Sequence, residues 1–243
     1  MQRPLHHPPA PSDYTPPNGD TPGYIIGSHG KVVGFGRAGF HVAAIPSRVA
    51  REAIAKHHYS HRVVNNSYVH MGVYYRENFA GVLQLGYALN PARADKVVEG
   101  TVQGDYLELN RMWLADVCPR NSESQALSYT FKYLRRACPS VAWVQSFADE
   151  RCGRLGVVYQ AANFQYVGSH RTDFLFLDGE YYHPMLLTAH KKSGERGRIL
   201  REGIDRAIRL SFRQFRYVYF LKQPWKKRLR LAVQPYPKPS EAA

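Results

Sequence analysis

Apolar and polar positions follow two different periods along this chain, and the changes of period divide it into elements. Residues 40–45 (FHVAAI) form a short apolar run that predicts a strand. Pro46 and Ser47 then open a helix through His57, with Val49, Ala53, Ile54 and His57 on its inner face. Residues 67–76 and 79–89 read as a hairpin across Glu77-Asn78. In the first arm Tyr68, His70, Gly72 and Tyr74 alternate with Val69, Met71, Val73 and Tyr75. Residues 91–100 read as a polar excursion with a helical turn.

The densest pattern lies between Tyr106 and Gly168. Residues 106–115 are apolar on both faces, as a central strand requires. Ser122-Glu123-Ser124-Gln125 is an S-x-x-Q capping box, and Leu127, Phe131, Leu134 and Cys138 follow at helical spacing. A strand over 141–147, a short helix over 155–162 and a strand over 164–167 come next, and 173–177 and 181–187 complete the sheet. Strand, loop, helix, strand, short helix, strand is the order of an α/β (α+β) domain that builds a ligand crevice.

The two ends differ from this body. Residues 1–20 are rich in Pro and read as a disordered arm, leaving a core over 21–190 and a basic extension over 191–243. His6 and His7 belong to the arm. The chain carries a formal charge of +14, and its last 53 residues hold 15 Lys+Arg against 4 Asp+Glu. Such clustering, with Tyr217, Tyr219, Phe220, Trp225 and Tyr236 interleaved, points to nucleic acid as partner. Residues 199–210 read as a helix with Ile204 and Ile208 inward. Arg206, Arg209, Arg213 and Arg216, spaced 3, 4, 3, then line one face. Residues 216–221 read as a strand, and Lys226 and Lys227 follow in the run LKQPWKKRLR; together these six basic residues form the expected DNA-contacting set. Cys118, Cys138 and Cys152 lack CxxC spacing, which argues against a disulfide framework or structural zinc. Neither a signal-peptide pattern nor a long apolar span is evident, so the expectation is a soluble, intracellular protein without membrane contact.

Several polar residues sit where chemistry is done. Asn110 and Arg111 interrupt an apolar strand, and burying them unpaired would cost several kcal/mol, so a partner or ligand is expected. Alternatively Asn110 pins a bulge and Arg111 pairs with Glu108 or Asp149. Asp149 follows a strand end, placed either to take a proton or anchor an amine, or to cap the turn near Arg151. His58 and Tyr59, beside His57 and His61, end the first helix, where they supply a base, metal ligands or only a terminal charge cap.

The segment 106–168 resembles the GCN5-related N-acetyltransferase fold, a mixed, mostly antiparallel sheet flanked by helices. That resemblance implies an acyl-coenzyme-A-like donor at the turn of Arg120, Asn121, Ser122 and Ser124, with Ser122 and Ser124 also capping the helix. The family's glycines are absent from this turn, and Glu123 brings a negative charge to it. The resemblance also implies Tyr159 as general acid, and a sheet that splays beside Asn110 and Arg111.

A closer resemblance spans about residues 35–220. HHYS, ELNRMWL, PRNSES, FADE and GVVYQAANFQYVG, in that order, resemble the Mom family of bacteriophage DNA-modification proteins. It implies conversion of adenine in phage DNA to N6-(carbamoylmethyl)adenine, with protection from host restriction, in the cytoplasm of the bacterial host. The catalytic set is then Asp149, Tyr159, Asn110, Arg111, His58 and Tyr59, acting on double-stranded DNA by base flipping. Tyr68, Tyr74, Tyr75 and Trp113 are candidates to stack on the base. The donor and any metal ion stay open, as do two other functions. One is a conventional acetyl-coenzyme-A-dependent N-acetyltransferase for a protein or small-molecule amine; the other is a non-catalytic DNA-binding module.

Overall fold

The computed structural model describes residues 24–26, 32–37, 39–88, 90–153, 155–188 and 194–238. The expected arm over 1–20, with His6 and His7, lies outside the described residues. Ten strands form one sheet: β1 (Tyr24–Ile26), β2 (Val32–Arg37), β3 (Phe40–Ala44), β4 (Ser67–Tyr75), β5 (Asn78–Gly86), β6 (Tyr106–Leu114), β7 (Trp143–Asp149), β8 (Gln165–Leu177), β9 (Glu180–Tyr182) and β10 (Ile208–Phe220). Their spatial order is β1-β2-β3-β4-β5-β6-β7-β10-β8-β9, antiparallel throughout except for β6 beside β7. The helices are α1 (Ser47–His57), α2 (Ser122–Ala137), α3 (Val157–Ala161), α4 (Met185–Thr188) and α5 (Gly194–Glu202). This is the mixed, mostly antiparallel α/β architecture expected of the acetyltransferase-like fold.

Local rules account for most of the boundaries. The β4–β5 hairpin turns on Arg76 (φ 50°) and Glu77 (φ 66°), one residue earlier than the polar pair suggested, because a two-residue turn needs both central residues left-handed. On α1, Ala50, Ala53 and Ile54 are buried against Ile45 and Val82. On α2, Leu127, Phe131 and Leu134 are buried as the helical spacing required, joined by Ala126 and Tyr133.

The capping box does not form. Asn121 is the N-cap, in the left-handed region (φ 69°), and Ser122 is already the first helical residue. Its amide is drawn into a turn by the Pro119 carbonyl (3.2 Å), which moves the helix start one residue earlier than a serine cap would. Ser124 Oγ donates back to Asn121 O at 2.9 Å instead of accepting an amide.

The second half of the chain differs most from the sequence reading. The strands expected over 164–167 and 173–177 are one long strand, β8, with Gly168 (φ 97°) where its pairing with β10 shifts register. The strand expected over 181–187 stops at Tyr182, and Met185–Thr188 turns into α4. The helix expected over 199–210 ends at Glu202, and β10 starts at Ile208, well before 216. A 3, 4, 3 spacing of arginines therefore does not make a helical stripe. In a strand, alternation puts Arg209 and Arg213 on one face and Arg216 on the other. β10 also lies between β7 and β8, so part of the basic 191–243 segment is a central strand and not an appendage. After it, the chain folds back on the body: Arg230 N donates to Val97 O (2.9 Å), Gln234 N to Tyr166 O (2.9 Å) and Tyr236 Oη to Phe164 O (2.7 Å).

Candidate active site in the splay of the sheet

β6 and β7 are paired over only three positions, Tyr106↔Trp143, Leu107↔Val144 and Glu108↔Gln145. Beyond Glu108 they part, β6 staying with β5 as far as Leu114 and β7 staying with β10 as far as Asp149. Glu108 and Gln145 thus stand at the apex of a wedge-shaped opening. Pairing partners share a face, so register decides what looks into it. Gln84↔Arg111, Glu108↔Gln145, Phe147↔Arg216 and Asp149↔Gln214 all fall on one face, the face that carries α1. The opposite face carries Ser146 and Tyr217, where α2 and α3 pack.

The α1 face is unusually polar for a sheet interior. Gln145 Nε2 donates to Glu108 Oε2 at 2.8 Å. Burial raises the Glu108 carboxyl above the usual carboxylate range, against the opposing pull of that hydrogen bond, Arg216 and Arg111. Around it, Gln84 Oε1, Gln145 Oε1, Gln214 Nε2 and Arg216 Nε are buried with no hydrogen-bond partner among the described residues. Other buried polar atoms, Thr130 Oγ1, Tyr133 Oη and Ser146 Oγ among them, are also unpaired; these four differ in sharing one face of one opening with the Glu108 carboxylate, an arrangement that suits a ligand. Glu108 was not among the sequence-derived candidates, although a carboxylate in the run YLELN was the available signal.

Asp149 lies at the open end of β7. Its Oδ1 accepts from the amide of Arg151 (2.9 Å), capping the 3-10 turn Glu150–Cys152, and the Arg151 guanidinium grips both carboxylate oxygens. The turn-capping alternative is therefore the observed one for its backbone contact. From the other side, the loop after α1 brings in His58 and Tyr59. His58 is buried; its Nδ1 accepts from the Ser60 amide (3.1 Å), which leaves the proton on Nε2. Burial first, then Arg111 and His61, push its pKa down to about 4, so this imidazole is neutral near neutral pH. The Tyr59 hydroxyl lies near the Cys152 thiol, Asp149 and Arg111. Desolvation first, then Cys152 and the Asp149 charge, raise its pKa, while the residue as a whole is exposed.

Asn110 occupies the irregularity between Gln84↔Arg111 and Leu85↔Leu109, with Nδ2 donating to Ser67 Oγ (3.0 Å). Arg111 pairs with neither Glu108 nor Asp149; its Nε donates to Arg62 O (3.1 Å) and a terminal nitrogen to Asn110 O (2.6 Å), tying the α1 loop to β6. The structure thus unites Asp149, Arg111, His58 and Tyr59. The histidines do not converge on a metal: His57 stacks on Trp113, His61 Nδ1 meets Ala55 O at 3.0 Å, and His58 is held by Ser60. Among the described residues no three His, Cys, Asp or Glu side chains are placed to hold an ion.

On the opposite face a cavity of about 420 Å³ lies between the turn after β6 and α3, lined by Leu114, Arg120, Asn121, Ser124, Val157 and Val158 among others. Arg120, Asn121 and Ser124 of the turn expected to hold a donor are among its lining. Ser122 is buried beneath it. The amides of Ser122 and Gln125 are bonded to Pro119 and Asn121, leaving those of Glu123 and Ser124 without an acceptor among the described residues. Yet the lining has one cation, Arg120, against the carboxylates of Asp116 and Glu123. The apolar wall and free amides suit a small neutral acyl group; the charge does not suit the phosphates of coenzyme A. Tyr159 lies on this side, packed with Phe164 and Tyr217 at ring-centroid distances of 5.4 and 5.3 Å, across the sheet from Asp149.

The expected DNA set is dispersed. Arg216 is on the α1 face, over the Phe147 ring, with burial lowering its pKa. Arg209 and Arg213 are on the reverse, paired with Asp173 and Glu150, and Arg206 pairs with Asp178. Lys226 and Lys227 follow the other end of β10, a strand length of roughly 40 Å from Ile208. The expected stacking residues lie elsewhere too: Tyr74 on His41, Trp113 on His57, Tyr68 on Tyr87, and Tyr75 under Arg76.

Known proteins resemble this chain at two distances. Solved structures with a similar course include an acetyltransferase of the GNAT family from Streptococcus pneumoniae (9 % identity, 65 % of this chain and 68 % of that chain, TM-score 0.38). Another is RimL, a ribosomal L7/L12 alpha-N-protein acetyltransferase (12 % identity, 75 % and 94 %, TM-score 0.43). The relationship by sequence is far closer. The methylcarbamoylase mom of Escherichia phage Mu is 52 % identical over 217 residues, covering 88 % of this chain and 90 % of that protein. The family model of the Mom protein family matches residues 39–238, which takes in every strand of the splay and both of its faces, and the chain belongs to that family.

Proposed function

We propose that this chain is a transferase that converts adenine in phage DNA to N6-(carbamoylmethyl)adenine, within the bacterial host's cytoplasm, and so shields the DNA from restriction. The observation that carries the reading is the α1 face of the splay, where Glu108, Arg111, Arg216 and four unpaired buried polar atoms meet at one opening. A relative whose name is methylcarbamoylase, matched over most of both chains, supports it.

The adenine amine is a poor nucleophile, because its lone pair is delocalised into the ring. It must lose a proton as its nitrogen bonds to the donor carbon. Asp149 is ill placed to take that proton, since Arg151 holds both its oxygens. Glu108 is the better acceptor: no guanidinium grips its carboxylate, Gln145 engages its Oε2, and it stands at the apex. Gln84, Gln145 and Gln214 supply donors and acceptors of the kind that reads a base edge. Neutral His58 and Arg111 fix the wall opposite β7. Asp149 then positions Arg151 instead of reacting. Tyr159 belongs to the donor side, where it would protonate a leaving group. Because the cleft's carboxylates do not fit coenzyme A, no step is assigned to that group.

A duplex keeps the amine stacked and paired, so the base must leave the helix. No described helix is long and apolar enough to cross a membrane. The reading is tested by nucleoside mass spectrometry of DNA from cells expressing the wild type, Glu108→Gln or Asp149→Ala. Altered adenine in the wild type and its loss in Glu108→Gln are expected. Unaltered adenine in the wild type, with a protein or small-molecule amine acetylated instead, would transfer the fold to conventional acetyl transfer.

A further inference from the structure

Past Asp149, β10 has no β7 beside it, and β8 and β10 continue as a two-stranded ribbon from Arg171↔Arg213 to Phe176↔Ile208. One face of that ribbon is covered: Leu175, Leu177 and Tyr182 pack with Leu200 and Ile199 of α5. The other face is the continuation of the α1 face, since Gln214, Phe212, Leu210 and Ile208 alternate with the residues beneath α5. It carries Phe174, Phe176 and Phe212, with Tyr181 of β9 against them. These four rings are only half-buried, and none belongs to a hydrophobic core. Their centroids lie 5.0–6.5 Å apart in tilted and edge-on contacts, and Phe174 also meets His183 edge-on at 5.9 Å.

Two features say what this surface takes. First, it already holds a flat polar group. The Arg151 guanidinium, aligned by Asp149, lies 3.7 Å from the Phe174 centroid and 5.2 Å from that of Tyr181. Second, its border is cationic. Arg62 and Arg196 converge on Glu180 at 2.7 Å each and on the Tyr181 carbonyl, and Arg216 stands over Phe147 at its inner edge. Four arginines thus meet three carboxylates, Glu180, Asp149 and Glu108, around flat apolar rings. Neither a lipid nor an apolar peptide calls for that pairing of π faces and excess positive charge; unstacked nucleotides do.

We infer that the ribbon face of Phe174, Tyr181 and Phe212, with Arg151, is the stacking platform for bases of the target strand drawn out of the DNA helix. The inference rests on the proposed DNA substrate and names the part of the protein that holds it beside Glu108. Bases stack on the rings, Arg62 and Arg196 take the flanking phosphates, and the strand runs down the ribbon into the splay.

The test is binding of a short, mixed-sequence single-stranded oligonucleotide by fluorescence anisotropy, over a series of salt concentrations. Phe212→Ala and Tyr181→Ala each weaken binding about 5- to 150-fold, and the slope of affinity against salt is unchanged because no charge is removed. Phe212→Leu keeps apolar bulk and the fold while losing the flat ring, and it weakens binding in the same direction. Wild-type affinity, within about twofold, in a Phe212→Leu variant that melts like the wild type overturns the platform. Adenine modification measured on the same proteins separates the two readings. A modifying wild type whose Phe212→Leu form binds and modifies equally well overturns only the platform. A wild type that modifies nothing, but whose binding falls with Phe212→Leu, leaves the platform standing and removes the activity.

Discussion

The two sides of the splay are built of the same strands and differ almost completely in chemistry. On the α2 side, helices seal the sheet, Tyr159, Tyr217 and Phe164 pack together, and the remaining cleft has two carboxylates to one arginine. On the α1 side, among the described residues, arginines, glutamines and half-buried rings line the region beyond the end of α1. The contrast teaches that around the splay itself the cations Arg111, Arg151 and Arg216 stand on the α1 side. An acetyltransferase that holds a polyanionic cofactor needs cations and bare amides on the helix side. Around this splay the cations stand on the other side, the side proposed to receive the DNA strand.

The sharpest way to break that comparison is through the two carboxylates of the acceptor side. Glu108→Gln keeps the hydrogen-bonding shape opposite Gln145 but cannot accept a proton, and modification should fall about 100-fold or more with DNA affinity unchanged. Asp149→Asn should lower activity less, since its part is to align Arg151. Equal modification by Glu108→Gln and the wild type would return the proton-accepting role to another residue. A smaller effect follows from the histidines. Burial depresses His58 and His41 to about 4 from an ordinary 6.5. A folded-state value below the unfolded one means the unfolded chain binds the extra proton. The stability is therefore fully present above 6.5 and is lost as pH falls toward 4. Denaturant melts should show a loss of about 2 kcal/mol per histidine between about pH 7 and about pH 5. A His58→Gln variant should flatten part of that slope.

Which parts of this are legible in the sequence follows from where each residue faces. α1, α2 and the β4–β5 hairpin bury one side and expose the other, so Ile54, Leu127 and Phe131 advertise their period. β2 has almost no such pattern, because Gly34 and Gly36 sit where a side chain would strike the backbone of β3, and the segment carries no readable strand signal. The β8–β10 ribbon mixes exposed and half-buried residues on both faces except where α5 covers Leu175 and Leu177, which blurs alternation, and arginines spaced 3, 4, 3 satisfy a helix equally well. Asp149, Arg111, His58 and Tyr59 are visible as polar residues at junctions, and the fold gathers them. Glu108 and the aromatic platform are not visible, because they depend on pairings across strands distant in sequence, β6 with β7 and β8 with β10.

The same distinction predicts which cations matter. Neutralising Arg62 and Arg196 together, which border the acceptor face, should reduce the salt slope of duplex binding by about 2, one for each phosphate no longer neutralised. Lys226 and Lys227, far along the sheet, should change the slope by less if a single bound strand follows the ribbon. Arg209 and Arg213, on the reverse face and paired with Asp173 and Glu150, fall between. A larger change from the lysine pair than from Arg62 and Arg196 would place the DNA across the other end of the molecule.

The smallest effect lies on the donor side, and it tests the charge argument directly. Glu123 lines the cleft at the start of α2, beside amides that would otherwise attract phosphate. Removing its charge with Glu123→Gln takes away a like-charge penalty worth about 0.3–1 kcal/mol at an exposed helix terminus, so affinity for coenzyme A should rise only about two- to fivefold. Titration calorimetry with coenzyme A on the wild type and the variant measures it. If the wild type already binds coenzyme A tightly and Glu123→Gln makes no difference, the carboxylates do not govern the cleft. The two sides of the splay would then divide their charge for some other reason. If binding is weak and improves with the variant while DNA modification does not, the helix side is tuned for a donor that presents no phosphate there, and the asymmetry between the two faces is functional.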